Sequence, residues 1–263
     1  MNLKKLKELL IDKLKEGVSK RGSLFLVIVP TFNEAENIRE LIERLVNDVD
    51  AAIEICVVDD NSSDGTRDVV ESLQAKVPNL HIYKRRRKMG LGSAYLAGFE
   101  LAFASGFKYM ITMDADLSHD PKIINNMEKE LENYDVIIGS RFTPGGGMVD
   151  LQLKRIAISK FGNFITDKLL GMPFHDCTSG YRCYRLSAIS RFNLEKEIVA
   201  RKYVFLVELL LLLFYSDFRI KEIPIIFINR LKGKTKVNMS EMFHAGTIIV
   251  FLIFKGIIKK FKR

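Results

Sequence analysis

Tyr109-Met110-Ile111-Thr112-Met113-Asp114-Ala115-Asp116 is an apolar run that ends in two carboxylates one residue apart. A short run of this kind bounded by polar residues reads as a buried strand, which sets both carboxylates at its C-terminal end. Two hard oxygen ligands so spaced can share one Mg²⁺ or Mn²⁺, whose shell is completed by water and substrate phosphate oxygens. The stretch therefore reads as half of a metal and diphosphate site. Asp-x-Asp also occurs in plain acidic turns, so the residues around it must decide.

Outward from that strand, the pattern alternates. Ser23–Val29 is a continuous apolar strand expected to end at Pro30, and Glu34 to Val49 carries the helical spacing Ile38, Leu41, Ile42, Leu45. Ile53–Val58 is a second strand, followed by the turn Asp59-Asp60-Asn61-Ser62-Ser63-Asp64-Gly65-Thr66 and a helix through about Ala75. His81-Ile82-Tyr83 is a short third strand, and Gly90–Ser105 a helix after a glycine-rich turn. A helix over Pro121–Leu131 and a strand over Val136–Gly139 continue the alternation. Strands separated by helices imply an α/β fold, a mostly parallel sheet covered by helices on both faces. Ligands of such open sheets bind outside the carboxyl ends of the strands. Pro30, Asp59-Asp60, Asp114-Asp116 and Arg141 all fall at such ends.

The remainder predicts a helix around Leu151–Leu170, an apolar helix Val204–Tyr215, a strand Ile223–Ile228 and a basic tail. No repeat or Pro/Ser-rich linker marks a second large domain. The expected division is a basic amphipathic helix over 1–22, a catalytic domain over 23–240 and an interfacial or docking helix over 241–263.

The chain has 263 residues, 48% of them hydrophobic, enough for one sizeable core. Cys56, Cys177 and Cys183 form no Cys-x-x-Cys, which points to packing thiols in a reducing compartment rather than a disulfide framework or zinc site. The net charge of +9 is concentrated at the ends, and the segment between residues 22 and 229 is net negative. Basic arms on a nearly neutral body suit an anionic surface such as a membrane leaflet or a phosphate substrate, and argue against nucleic acid. Leu3, Leu6, Leu10 and Leu14 suit a basic amphipathic helix, packed on its own protein or on lipid. Residues 245–254 are apolar but fall short of the roughly 20 residues a bilayer core requires. With the cations that follow, they suggest an interfacial or docking helix, with a buried core helix as the alternative.

Two nucleotide signatures fail. Gly233-Lys234-Thr235 lacks the P-loop glycine, since Ile228 stands there, and Gly90-Leu91-Gly92 has Tyr95 where a dinucleotide fingerprint needs its third Gly. The Gly90 loop remains able to contact phosphate. Lys84-Arg85-Arg86-Arg87-Lys88 reads either as a solvated charge run or as a phosphate clamp. Glu208, alone on an apolar helix, implies a buried ion pair, or a carboxylate that orients an acceptor clamp through Arg155 or Arg182.

Taken in order, Pro30-Thr31-Phe32-Asn33-Glu34, Asp59–Thr66, Gly90–Tyr95, Met113–His119, Gly139-Ser140-Arg141 and Thr178-Ser179-Gly180-Tyr181-Arg182 resemble the family 2 glycosyltransferases of the GT-A, Rossmann-like fold. The likeness is strongest to the dolichyl-phosphate (polyprenyl-phosphate) mannose synthases of soluble, single-domain type. It extends to Leu153-Lys154-Arg155 with Ser159, and to Asn229–Lys236. The resemblance implies that Pro30, Phe32, Glu34, Val58 and Asp60 hold the nucleoside, and that Asp114, Ala115 and Asp116 hold metal and diphosphate. It makes Arg141, Arg230 and Lys236 phosphate ligands, and with Asp116 the catalytic set. Phe32 stands where the family usually has Tyr, and Ser118 where some members have Gln, so Ser118 would reach the metal through water. Arg155 and Ser159, four apart and hence on one helix face, would grip the acceptor phosphate.

The implied reaction moves mannose from GDP-mannose to dolichyl or polyprenyl phosphate with inversion, with Mg²⁺ or Mn²⁺ as cofactor. The implied location is peripheral, on the cytoplasmic face of the endoplasmic reticulum or plasma membrane, with a small membrane subunit as a partner of some relatives. UDP-glucose as donor, or a non-catalytic membrane-associated nucleotide-binding subunit, are the competing readings.

Overall fold

The computed structural model describes residues 3–150, 163, 171–202 and 204–229. The helix expected around 151–170, apart from Asn163, and the helix expected over 241–263 lie outside the described residues. So do Arg155, Ser159, Arg230 and Lys236.

In chain order the strands are β1 (Phe25–Thr31), β2 (Ile53–Asp59), β3 (Leu80–Lys84), β4 (Tyr109–Thr112), β5 (Val136–Ser140), β6 (Gly147–Val149), β7 (Arg182–Arg185), β8 (Ile220–Pro224) and β9 (Ile226–Ile228). The helices are α1 (Leu3–Arg21), α2 (Ala35–Asp48), α3 (Thr66–Gln74), α4 (Leu91–Ser105), α5 (Ile123–Glu130), α6 (Leu186–Ile189), α7 (Leu194–Glu197) and α8 (Phe205–Phe214). The main sheet runs β3-β2-β1-β4-β7-β5-β8, and β6 pairs with β9 in a second, small sheet. Within the main sheet only β7 is antiparallel to its neighbours.

Alternate residues of the central strands feed two cores, as the period of two requires. Leu26, Ile28, Cys56 and Val58 pack with Tyr95, Phe99 and the leucines of α8. Phe25, Val27, Val29, Ile55 and Val57 pack with Ile38 and Leu41 of α2, Val70 of α3 and Met127 of α5. Both faces are covered, which is why these strands are apolar throughout rather than alternating. All three cysteines are buried and free, and burial pushes the Cys56 thiol up to about 12.

Three sequence expectations are corrected. Pro30 lies inside β1 rather than ending it, because β4 stops at Thr112, opposite Ile28. Beyond that point β1 has an edge where a missing N–H costs nothing. The strand expected over Ile223–Ile228 is two strands, since the chain leaves β5 at Pro224 and joins β6 from Ile226. The third is β7, for which the sequence offered no strand. Its first residue, Arg182, pairs with Thr112 and Ile138, so the preceding segment 176–181 is delivered to the carboxyl edge beside Asp114 and Arg141.

At the opposite edge, α1 packs on the protein rather than standing free. Leu10 and Leu14 are buried, and a Cβ at Gly17 would lie 2.3 Å from the Glu54 carboxyl group. Glu54 is itself buried, accepting from Arg21 Nε and Nη2 and from Ser23 Oγ, each at 2.8 Å, with His81 Nε2 at 2.7 Å. Burial raises its carboxyl pKa, and the His81, Arg21 and Ser23 contacts more than offset this, leaving it below the usual value. A depressed carboxylate stabilises the fold above its unfolded pKa and loses that contribution as pH falls through its folded one. Glu54→Gln is therefore expected to destabilise the protein by about 3 kcal/mol at neutral pH. The deficit relative to wild type should shrink in acid. Urea unfolding at both pH values checks this, and equal midpoints at neutral pH would contradict it.

Candidate active site

The loops that follow β1 and β2 are cross-linked by their own short polar side chains. The Asn33 N–H donates to Ser62 Oγ at 2.9 Å, and the Ser63 N–H returns a bond to Asn33 Oδ1 at 2.9 Å. The Glu34 N–H donates to Thr66 Oγ1 at 2.9 Å and the Ala35 N–H to Asp64 Oδ2 at 3.0 Å. Asn33 and Asn61 adopt positive φ (57° and 63°), a region Asn tolerates better than most residues. Asp59, fully buried, accepts from Thr31 Oγ1 at 3.1 Å and Arg67 Nε at 2.5 Å.

Asp60 is also buried, and the structure shows what its carboxylate holds. It accepts from Arg85 Nη1 at 2.7 Å and from the N–H groups of Met89 and Gly90 at 3.0 and 2.9 Å. These two amides, which the sequence left open to phosphate, are turned onto the protein's own carboxylate. Gly90 has φ +90°, and a Cβ there would lie 2.8 Å from the Arg201 carbonyl, so only glycine fits the turn into α4. The cationic run 84–88 consequently divides. Arg85 is buried, Lys84 pairs with Glu71, and Lys88 Nζ lies 4.2 Å from the centre of the Phe32 ring. Pro30 and Phe32 are half-buried at the site, Glu34 is buried and accepts from Asn37 Nδ2 at 2.9 Å, and Val58 is a core residue.

The β4 carboxylates sit where the sequence placed them. Asp114 is half-buried, and Ala115 and Asp116 are buried. Asp116 Oδ1 accepts from the Ser118 N–H at 3.2 Å and from the Ser118 hydroxyl, so Ser118 orients the carboxylate. The Asp114 N–H donates to His119 Nδ1 at 3.1 Å, which makes that nitrogen an acceptor and puts the ring proton on Nε2. His119 is stacked on Tyr181 at 4.8 Å and meets the Phe227 ring edge-on at 5.6 Å. Burial lowers its pKa to about 4, so it holds the loop as a neutral ring. A Cβ on Gly180 would lie 3.2 Å from Tyr95 Oη and 3.4 Å from Asp114 Oδ1, so segment 178–182 runs in contact with that carboxylate.

Arg141, at the end of β5, is fixed by Asp176. Its Nε and Nη2 donate to the two Asp176 oxygens at 2.6 and 2.7 Å, and Nη2 also reaches Thr178 Oγ1 at 2.7 Å. Burial raises the Asp176 carboxyl and Arg141 more than compensates, holding it below the usual range. Glu222 Oε1 accepts the Asp176 N–H at 2.8 Å, and Asn163 Oδ1 the Cys177 N–H at 2.8 Å. Glu208 accepts from the N–H groups of Val199 and Ala200 at 3.0 and 2.8 Å. The Arg182 guanidinium donates to the carbonyls of Ser179, Leu206 and Cys177. Among the described residues both groups are thus engaged with backbone, and the Arg155 half of the acceptor clamp that the sequence suggested lies outside the described residues.

Asp176, His119 and Arg85 are the contributors sequence reasoning passed over. His119 and Arg85 stand inside stretches the sequence had marked, Met113–His119 and 84–88, without being given a role, and Asp176 adjoins one; only the insertion of β7 brings Asp176 to Arg141.

Against known proteins, the chain belongs to glycosyl transferase family 2, whose family model matches residues 26–192. It is 36% identical over 222 residues to the polyprenol monophosphomannose synthase of Mycolicibacterium smegmatis, covering 84% of this chain and 83% of the relative. It is 36% identical over 213 residues to the undecaprenyl-phosphate mannosyltransferase of Micrococcus luteus, covering 81% and 87%. Among solved structures, glucosyl-3-phosphoglycerate synthase from Mycobacterium tuberculosis, in complex with Mn²⁺, UDP and phosphoglyceric acid, shares the fold at a TM-score of 0.64. That match has 16% identity and covers 94% of this chain and 82% of the other. The same protein in complex with Mg²⁺ and UDP gives a TM-score of 0.61 at 17% identity, covering 94% and 83%.

Asp176→Asn keeps the shape of the Arg141 partner and removes its charge. It is expected to lower sugar transfer about 100-fold through a displaced guanidinium, with the circular dichroism spectrum unchanged. Transfer within twofold of wild type would show that Arg141 does not need this carboxylate.

Proposed function

We propose that the protein transfers mannose from GDP-mannose to the phosphate of a dolichol or other polyprenol, with inversion, giving a β-linked lipid-phosphate mannose. The observation that carries this reading is the meeting, at one sheet edge, of the Asp114-Ala115-Asp116 loop with Arg141 locked onto Asp176. The named activities of the two relatives at 36% identity supply the sugar and the lipid class.

The donor set fits a hard divalent cation. Asp114 and Asp116 are carboxylates one residue apart, and Ser118 holds Asp116 in place. Among the described residues no group of three or more His, Cys, Asp or Glu side chains is arranged to hold a metal. Mg²⁺ or Mn²⁺, which routinely keep water and substrate oxygens in their shell, suit so sparse a set. When bound, the ion offsets the charge of the departing nucleoside diphosphate.

The chain's own groups do the remainder. Arg141, presented with a fixed geometry, stabilises negative charge as the glycosidic bond breaks, and Arg230 and Lys236 are assigned to the same task. Pro30, Phe32, Glu34, Val58 and Asp60 form the nucleoside side, with Asp60 acting through the loop it holds. Arg155 and Ser159 orient the acceptor phosphate. A phosphate monoester has a second pKa near ~6 and is already largely ionised at neutral pH, so no general base is required. Neutral His119 serves as a support for the Asp114 backbone. Among the described residues no helix is long and apolar enough to cross a membrane. The lipid-phosphate class named for the two relatives supports assigning attachment as peripheral, on the cytoplasmic face, directly or through a small membrane subunit.

The test is transfer of labelled sugar to polyprenyl phosphate from GDP-mannose and, in parallel, UDP-glucose, with Mg²⁺, Mn²⁺ or EDTA. Metal-dependent product from GDP-mannose is expected, and Asp116→Ala should reduce it about 1000-fold. The rate should rise with pH through ~6 as the acceptor gains its second negative charge. Product from UDP-glucose alone would overturn the donor assignment. Near wild-type transfer by Asp116→Ala would overturn the metal assignment.

A further inference from the structure

A groove of about 1080 Å³ lies between segment 84–89, the outer side of α4 and segment 190–195. Arg85 and Met89, which hold Asp60, form part of its wall, but none of Asp60, Asp114, Asp116 or Arg141 lines it, so it adjoins the candidate active site without including those groups. Its wall along α4 runs from Ser93 to Phe103, about 15 Å at the helical rise per residue. Phe103 on that side and Phe192 opposite are the aromatic side chains open to the groove, with the buried Leu96, Phe99 and Leu194 beneath them. Phe103 and Met89 are 36% and 46% exposed, large apolar side chains left open to water.

The charge at its mouth is one-sided. Arg86 and Arg87 are exposed, and neither makes an ion pair with any described residue. Arg191, on the opposite wall, is held over the Phe192 and Phe218 rings and donates to the Ser216 carbonyl. The two acids that line the groove are each matched by a cation, Glu100 by Lys7 and Glu195 by Arg201. The Lys7 contact also sets α1 beside the groove, with Leu6 and Leu9 of that helix 41% and 44% exposed. Arg86 and Arg87 follow directly on the C-terminal end of β3, at the same sheet edge as Asp114 and Asp116. For an enzyme whose acceptor is a membrane lipid, that edge has to approach the bilayer.

We propose that this groove docks the protein on an anionic bilayer by taking one acidic phospholipid. The headgroup phosphate lies on Arg86 and Arg87, and an acyl chain lies along α4 towards Phe103. An apolar furrow with two guanidinium groups that no described acid pairs complements an acidic amphiphile, and neither a neutral lipid nor a bare phosphate uses both parts. The purpose of the docking rests on the lipid-phosphate reading of the active site. Its occurrence is measured without turnover.

The experiment is co-flotation of the full chain with vesicles of phosphatidylcholine alone or mixed with phosphatidylglycerol. Wild-type protein should partition onto the mixed vesicles only. Arg86→Gln with Arg87→Gln should weaken that partitioning about 30-fold, from roughly a tenfold loss per 1.4 kcal/mol and about 1 kcal/mol per basic residue at such a surface. Lys76→Gln with Lys129→Gln, an equal change in charge at the C-terminal ends of α3 and α5, away from that edge, should leave it within twofold. Phe103→Ser, checked for wild-type circular dichroism, should weaken it several-fold. Wild-type flotation by the double arginine variant, or equal loss in the double lysine control, overturns the proposal. If flotation behaves as expected but no sugar is transferred, the groove assignment stands and the functional reading falls.

Discussion

The buried Asp60 carboxylate is the contact on which half of the carboxyl edge depends. One oxygen takes the Arg85 guanidinium and the other takes two consecutive backbone N–H groups, at Met89 and Gly90. This fixes the turn into α4, carries Lys88 over the Phe32 ring, and leaves Arg86 and Arg87 turned to the other side. An uncompensated buried carboxylate is costly, so the loop has little freedom to lie elsewhere. Asp176 does the same for the other half, where its bidentate grip aims Arg141 and its backbone is tied in turn to Glu222. Between them the Asp114-Ala115-Asp116 loop is propped from below by a neutral imidazole. The edge is built mainly from acids, yet its acids divide into those that hold loops and those offered to a ligand.

That division explains what the sequence could and could not reveal. The β-α alternation was legible because strands buried on both faces must be apolar throughout, and Leu26 and Val27 serve different cores while looking alike in sequence. β7 was not legible, since Arg182-Cys183-Tyr184-Arg185 has no apolar run and is a strand only because β4 and β5 lie on either side of it. Pro30 misled for a related reason. Whether a proline ends a strand depends on whether the neighbouring strand still reaches it, and β4 does not.

For the candidate site, the sequence singled out the carboxylates, the arginine and the glycines, and the structure sets Asp114, Asp116 and Arg141 at one sheet edge. The sequence could not say which acids the scaffold consumes. Asp60 and Asp116 look equivalent in their motifs, but Asp60 is matched by Arg85, 25 residues on, while Asp116 is matched by a serine two residues away. The former pairing depends on the order of strands in the sheet. Likewise the five cations of 84–88 read as one patch and proved to have at least three destinations, a buried ion pair, a ring at the active site and an open groove.

The proposed donor requires this edge to bind a nucleoside diphosphate together with a divalent cation, and to prefer guanine. Calorimetric titration of the full chain with GDP and with UDP, each with Mn²⁺ and again with EDTA, addresses it directly. GDP binding is expected to need the metal, to exceed UDP binding, and to disappear when Asp114 and Asp116 are both changed to Asn. GDP binding that is indifferent to EDTA and to those substitutions would contradict it.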